Sequence, residues 1–220
     1  MSALESLLAR FDPAIVKAAK TLGLFALLGM GAVGLFHAMT AGRIAANERA
    51  ALLHSLQALV PAGSYDNDLL ADQIEIDDPA ALGTAQPVPV YRARKDGQPL
   101  AAVLSTAAGD GYNGTIKLLV AVKADGTLAG VRVVGHKETP GLGDAIEESR
   151  SNWIHGFDGL SLDNPGDAQW KVKRDGGRFD QFAGATITPR AVVKAVHKTL
   201  LYFRDHRDAL FAPSAKENQP

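Results

Sequence analysis

Thr115-Ile116-Lys117-Leu118-Leu119-Val120-Ala121-Val122-Lys123, then Ala124-Asp125-Gly126-Thr127, then Leu128-Ala129-Gly130-Val131-Arg132-Val133-Val134, sets the fold class of this chain. Ile116, Leu118, Val120 and Val122 recur every second residue, the mark of a half-buried strand. Asp125-Gly126 turns the chain, and the β-branched run after it returns as a hairpin partner. Upstream, Val90–Arg94 and Leu100–Ser105 flank Lys95-Asp96-Gly97-Gln98, which reads as a second hairpin. Hairpins in succession, with no helix between them, predict an antiparallel sheet. Between the two, Gly109-Asp110-Gly111-Tyr112-Asn113-Gly114 reads as a flexible entrance, with Tyr112 open to lying on a flat ring or, as is commoner for an aromatic beside glycines, to anchoring the loop.

Downstream the hairpin delivers the chain to Gly135-His136-Lys137-Glu138-Thr139-Pro140-Gly141-Leu142-Gly143-Asp144, with a helix expected from there through Trp153. Strand, glycine loop and helix superficially match a dinucleotide fingerprint. The third glycine of that pattern would fall at Ile146, and no βαβ repeat surrounds it, so that reading is rejected. Trp153 and His155 read as packing residues, Asn164-Pro165-Gly166-Asp167 as a turn, and Trp170–Lys173 as a strand.

The next segment, Asp180-Gln181-Phe182-Ala183-Gly184-Ala185-Thr186-Ile187-Thr188-Pro189, leads into a helix expected to reach about His206. Thr188 reads as its N-cap and Pro189 as its first residue. Ala191, Val192, Ala195, Val196, Thr199, Leu200 and Phe203 recur at helical spacing and require one buried face, with Arg190, Lys194, Lys198 and Arg204 elsewhere on the wheel. Gly184 and Ala185 permit close backbone approach, and a helix N-terminus favours an anion, typically a phosphate. Spacing alone leaves this open, because most such turns bind nothing.

Towards the N-terminus, Thr21–Gly42 carries no Asp, Glu, Lys or Arg. At helical rise it reaches about 33 Å, enough to cross a hydrocarbon core. The apolar run is longer than a cleaved leader's, and Ala38-Met39-Thr40 is a poor exit site, which favours a retained anchor. Arg10, Lys17 and Lys20 before the span, against Arg43 and Arg49 after it, predict an inside N-terminus and a domain in the periplasm of a bacterial cell. Residues 43–60 read as a helix leaving the membrane and folding onto the domain, and 62–88 as an acidic, loop-rich surface without a site. The expected divisions are a cytoplasmic lead (1–20), a transmembrane helix (21–42), a connecting segment (43–88), the main domain (89–211) and a disordered tail (212–220).

Composition excludes several chemistries. The 220 residues contain no cysteine, which removes disulfides, thiolate-held iron–sulfur clusters and Cys-x-x-Cys-His haem attachment. The six histidines form no His-x-x-x-His or Glu-x-x-His pair, so no zinc signature exists and no metal site is expected. A net charge of −1 offers nothing to nucleic acid.

Two segments carry a resemblance. Asp180 to Thr186 resembles the flavinylation motif of the FMN-binding domain family, Asp-x-x-Ser/Thr-Gly-Ala-Thr. His136-x-Glu138-Thr139-Pro140-Gly141-Leu142-Gly143 resembles that family's second signature, which borders the flavin. This chain departs from the motif at Ala183, where Ser or Thr is usual. The resemblance covers about residues 90–206 and implies an α+β domain, an antiparallel sheet with packed helices behind one transmembrane helix.

It further implies FMN as cofactor, joined to Thr186 as a phosphoester by a flavin transferase that uses Mg²⁺ and FAD. Asp180, Gly184, Ala185 and Thr188 on one segment would border that cofactor, with His136, Glu138, Thr139, Gly141, Leu142 and Gly143 on the other. Within the family, the single anchor and modest size are most similar to membrane subunits of Rnf-type complexes. Those complexes couple electron flow between ferredoxin and NAD⁺ to Na⁺ or H⁺ movement. The implied partners are the other membrane subunits, and no turnover is expected from this chain alone. A component of a sodium-translocating NADH:quinone oxidoreductase, a free-standing periplasmic flavoprotein and a module binding FMN reversibly stand as alternatives.

Overall fold

The computed structural model describes residues 12–212. The tail expected over 212–220 lies outside the described residues apart from Ala212, as does the first half of the N-terminal lead. The chain divides after Ala51 into two compact units.

The first unit is most of helix α1 (Pro13–Leu59). Asp12 starts it, its carboxylate accepting the Ala14 N–H at 2.8 Å, and Pro13 takes the first helical position. The helix continues without a break to Leu59, two residues before Pro61. It is long and apolar enough to cross a membrane, and its apolar window is wholly unburied. Leu22, Phe25, Leu27, Met30 and Phe36 all stand exposed along it. Thr21 and Thr40 donate their hydroxyls back to the Lys17 and Phe36 carbonyls, at 3.0 and 2.8 Å, so neither presents an unsatisfied group to lipid.

The second unit holds a five-stranded antiparallel meander in the order β1 (Gln73–Ile76), β2 (Val88–Lys95), β3 (Gln98–Gly111), β4 (Gly114–Lys123) and β5 (Leu128–Gly135). Both expected hairpins form at the Asp96-Gly97 and Asp125-Gly126 turns, with Asp96 and Gly126 at positive φ. No parallel crossover occurs in this sheet, in agreement with the rejected dinucleotide reading.

Helix α3 (Ile187–Phe211), which starts two residues before the expected Pro189 and ends five beyond the expected His206, lies across one face of the sheet. The short α2 (Pro79–Leu82) precedes it in the chain and packs on the same side. All seven predicted core positions on α3 are buried, while Arg190, Lys194, Lys198 and Arg204 are exposed. The opposite face is covered too. Leu56 and Leu59 at the end of α1, with Val60 and Leu69, pack on Tyr91, Ala93, Ala101, Val103, Leu119 and Ala121. Strand β4 is therefore buried on both sides rather than half-buried, which explains its nearly continuous apolar run Leu118–Val122.

Three local expectations are corrected. The acidic stretch 62–88 is not all loop: it supplies the edge strand β1 and α2, and Asp72 within it pairs with both Arg92 and Arg94. The helix expected from Asp144 through Trp153 is two short 3₁₀ turns, Gly143–Ile146 and Asn152–Phe157. Its composition explains the break: Ser151 diverts its side chain to accept the Trp153 N–H at 3.1 Å, a local bond that competes with an α-helix. The strand expected at Trp170–Lys173 is a single parallel bridge, Val172 to Phe179, between further 3₁₀ turns.

Candidate functional site

Both glycine-bearing segments fold as tight turns, and each uses its glycine in the left-handed region. At Thr139-Pro140-Gly141-Leu142, the Leu142 N–H donates to the Thr139 carbonyl at 3.1 Å, and Gly141 has φ +78°. Proline followed by a positive-φ glycine is the arrangement a type II turn requires. At Phe182-Ala183-Gly184-Ala185, the Ala185 N–H donates to the Phe182 carbonyl at 3.2 Å, and Gly184 also has φ +78°. A Cβ on Gly184 would meet only Leu142 Cδ2, at 3.7 Å, so conformation rather than space calls for glycine there. Ala183, the departure from the family pattern, occupies the turn's second position.

These turns and the β3–β4 tip enclose a cleft of about 310 Å³ lined by Tyr112, Glu138, Thr139, Leu142, Gly143, Gly184, Ala185, Thr186, Ile187 and Thr188. That volume lies at the lower end for small-molecule sites. Tyr112 (65 % exposed), Leu142 (45 %) and Ile187 (44 %) give it exposed apolar walls, suited to a flat ring. Two other clefts lie in this unit, one beside Lys194 and Lys198 and one of about 510 Å³ beside His54, Arg132 and His136. Of the three, the first alone gathers residues from both signature segments.

Thr186, not Thr188, is the N-cap of α3, and its side chain makes no capping bond. The hydroxyl is thus left at the cleft wall beside a helix start. The N–H groups of Ile187 and Thr188 have no carbonyl one turn back, and the helix dipole adds partial positive charge at the same place. Pro189 then falls at the third helical position, where its missing N–H again costs no helical bond. Thr188 is fully buried and donates its hydroxyl to Glu138 Oε2 at 2.5 Å. The sequence reading places the cap two residues late, at Thr188, because a threonine before proline has the same local signature as a cap.

The remaining expected residues divide. Glu138, Thr139, Leu142, Gly143, Gly184, Ala185, Thr186 and Thr188 meet at the cleft. Gly141 shapes the turn behind it. Asp180 does not line it: its side chain is 69 % exposed and pairs with Lys173 at 2.5 Å, while its carbonyl accepts the Trp153 indole N–H at 2.8 Å. His136 also lies outside this cleft. Its Nδ1 accepts the Glu138 backbone N–H at 3.0 Å, so Nε2 carries the proton and faces Glu147 Oε1 at 2.6 Å. That contact, with a second from Ser149, holds the Glu147 carboxyl below its ordinary range.

Tyr112 and Asn113 join the site although sequence reading does not assign them to it. The stretch expected to be a flexible entrance is instead a two-residue hairpin tip closed by the Gly111–Gly114 pair. Asn113 donates its N–H to Glu138 Oε1 and its amide to Thr139 Oγ1, both at 3.1 Å. The glycines flanking Tyr112-Asn113 were the available signal for a tight tip. Among the described residues no group of three or more His, Asp or Glu side chains is arranged to hold a metal ion.

The site fits FMN on its own chemistry: a free hydroxyl at a helix N-terminus for the phosphate, and apolar walls for the ring. Known proteins point the same way. Residues 111–201 match the FMN-binding domain family, and residues 2–59 match the RnfG N-terminal region. The G subunit of the ion-translocating oxidoreductase complex of Pseudomonas aeruginosa is 56% identical over 199 residues, covering 90% of this chain and 93% of the relative. Its counterparts from Shewanella loihica (47% over 196 residues, 89% of this chain and 92% of the relative) and Vibrio cholerae (46% over 207 residues, 94% and 96%) carry the same description. This chain belongs to the RnfG family, the G subunits of ion-translocating oxidoreductase (Rnf) complexes, and its α+β unit carries that family's FMN-binding domain.

Proposed function

We propose that this chain is the membrane-anchored flavin relay of an Rnf-type complex, carrying FMN through a phosphoester on Thr186 and passing electrons within an ion-translocating ferredoxin:NAD⁺ oxidoreductase. The observation that carries the reading is the position of Thr186, a capping residue with an uncommitted side chain at the wall of a cleft that both signature segments share. FMN, when bound, takes up and returns electrons singly or in pairs.

The residues present suit each part of that cofactor. Thr186 supplies the ester oxygen, and the Ile187 and Thr188 N–H groups with the α3 dipole offset the charge left on the phosphate. Gly184, Ala185 and Gly143 bring backbone close to the ring, and Gly141 lets the turn behind them form. Tyr112, Leu142 and Ile187 shield it from water. Thr139 Oγ1 accepts from Asn113 and retains its own hydrogen to donate to a ring or ribityl oxygen. A permanent bond suits a relay that must not release its carrier, and no acid, base or nucleophile set is required for turnover. Asp180, exposed beside Lys173, is accessible to the flavin transferase that would load FMN from FAD.

The anchor and domain would be arranged with residues 1–20 inside, 21–42 in the bilayer and the flavin domain (89–211) in the periplasm, reached through the connecting segment 43–88. Absence of cysteine gives a clean test of that topology. Asp208→Cys on the exposed face of α3 should react with a membrane-impermeant maleimide in intact cells, and the tagged chain should bring down other membrane subunits together with flavin. Labelling only after lysis would place the domain inside, and isolation of the chain alone with a stable flavin would favour a free-standing flavoprotein.

A further inference from the structure

Glu138 is 4 % exposed, yet both of its carboxylate oxygens are engaged by parts of the chain far apart in sequence. Oε2 accepts from the Thr188 hydroxyl at 2.5 Å, at the start of α3, and Oε1 accepts from the Asn113 N–H at 3.1 Å, in the β3–β4 tip. Two glycines make room for it. A Cβ on Gly111 would come within 2.9 Å of Oε1, and one on Gly143 within 2.9 Å of Oε2. Its own backbone is fixed by the His136 ring. Among the described residues no cation pairs with this carboxylate, so its buried charge is compensated by these two hydrogen bonds.

We infer that Glu138 is a positioning residue that clamps the Tyr112-bearing tip to the Thr186-bearing helix start, fixing the width of the cleft between them. The proposal deepens the flavin-relay reading and rests on it only for its consequence, the posture of the ring. A second tie between helix and strand, Lys194 to Asp110 at 2.7 Å, lies further along α3. Both of its side chains are more than half exposed, and an ion pair in water holds weakly. The buried carboxylate is therefore the stronger link, and removing it should loosen both walls.

Three variants of the full chain test it: Glu138→Ala, Thr188→Val and Glu138→Gln. Amide hydrogen exchange at Asn113 and at the first hydrogen-bonded amides of α3, from Arg190 to Val193, should rise about tenfold in the first two, the factor expected for loss of one buried hydrogen bond. The β2–β3 amides should stay unchanged. Glu138→Gln keeps an acceptor for Asn113 and a partner for Thr188, so it should restore both walls. In flavin-loaded protein, the visible circular dichroism of the ring should weaken in the first two variants and recover in the third, a signature that general destabilisation would not give. Unchanged exchange, or a rise at one wall alone, overturns the clamp. If Glu138→Ala fails to fold, Thr188→Val cuts the same tie with a side chain of similar shape and decides the question. Absence of flavin from the wild-type chain would sink the relay reading while leaving the exchange result to stand or fall separately.

Discussion

The Trp153 indole N–H donates to the Asp180 carbonyl at 2.8 Å, pinning the first residue of the motif segment to the 3₁₀ turn Asn152–Phe157. The same ring packs edge-on against Phe182, two residues further along, with centroids 5.2 Å apart, and against Phe157 at 5.4 Å. The motif therefore reaches the cleft from a fixed starting point. Trp153→Phe retains an aromatic ring but loses the donor. It should cost about 1 kcal/mol in urea unfolding, the net worth of one hydrogen bond. A loss near zero would mean that the ring contacts alone anchor the segment.

Gly143 and Gly184 are glycines for different reasons, and alanine should separate them. At Gly143 a Cβ would crowd Glu138 Cβ and Thr188 Oγ1, both at 3.0 Å, so Gly143→Ala overpacks the clamp and should cost about 1–3 kcal/mol. At Gly184 there is room, and Gly184→Ala should cost only the left-handed backbone term of about 1–2 kcal/mol. Thermal unfolding of both proteins checks the sizes. Partial recovery of Gly143→Ala by adding Thr188→Ala, which removes the crowded Oγ1, would identify crowding as the cause.

Asp72 answers two arginines at once. Arg92 is 1 % exposed and pairs with Asp72 Oδ1, while Arg94 meets Oδ2 at 2.9 Å. The two guanidinium groups also donate to the Ala212 and Phe211 carbonyls, closing the C-terminal end of α3. Asp72→Asn would leave a buried arginine without its counter-charge and should destabilise the domain by about 3–5 kcal/mol. Chemical denaturation of the variant measures this. A cost below about 1 kcal/mol would show that the carbonyls alone satisfy Arg92.

Acid should weaken the wild-type chain through Glu147. Its carboxyl titrates below the ordinary range because it accepts from His136 and Ser149. A depressed folded value means that the contribution is complete above the ordinary glutamate value of about 4.3 and is lost as pH falls through the lower folded value. The urea midpoints of wild type and Glu147→Gln should therefore differ at pH 7 and converge as pH drops below about 4. A constant difference across that range would mean that Glu147 acts through packing rather than charge.

Much of this architecture is legible in the sequence where a local rule and the tertiary packing agree. The period-2 runs around Asp96-Gly97 and Asp125-Gly126 became hairpins, and the periodic face from Ala191 to Phe203 became the buried side of α3. Strand β1 was hidden because Gln-Ile-Glu-Ile has only two apolar residues among polar ones and forms by pairing with Val88–Tyr91. The segment from Asp144 to Trp153 looked helical, but Ser151 took up the backbone bonds locally. At the site, the glycine turns were legible as motifs, and their residues do converge. Asn113 was not, because its partners Glu138 and Thr139 lie 25 and 26 residues further along the chain, and separation in sequence hides such contacts.

Covalent flavin attachment is tested most directly by the intact mass of the denatured chain, purified from membranes of a host with an active flavin transferase, beside Thr186→Val. The wild type should carry an increment of one FMN phosphoester and the variant none. An unmodified wild-type mass, or an increment that survives in Thr186→Val, would contradict attachment at this residue.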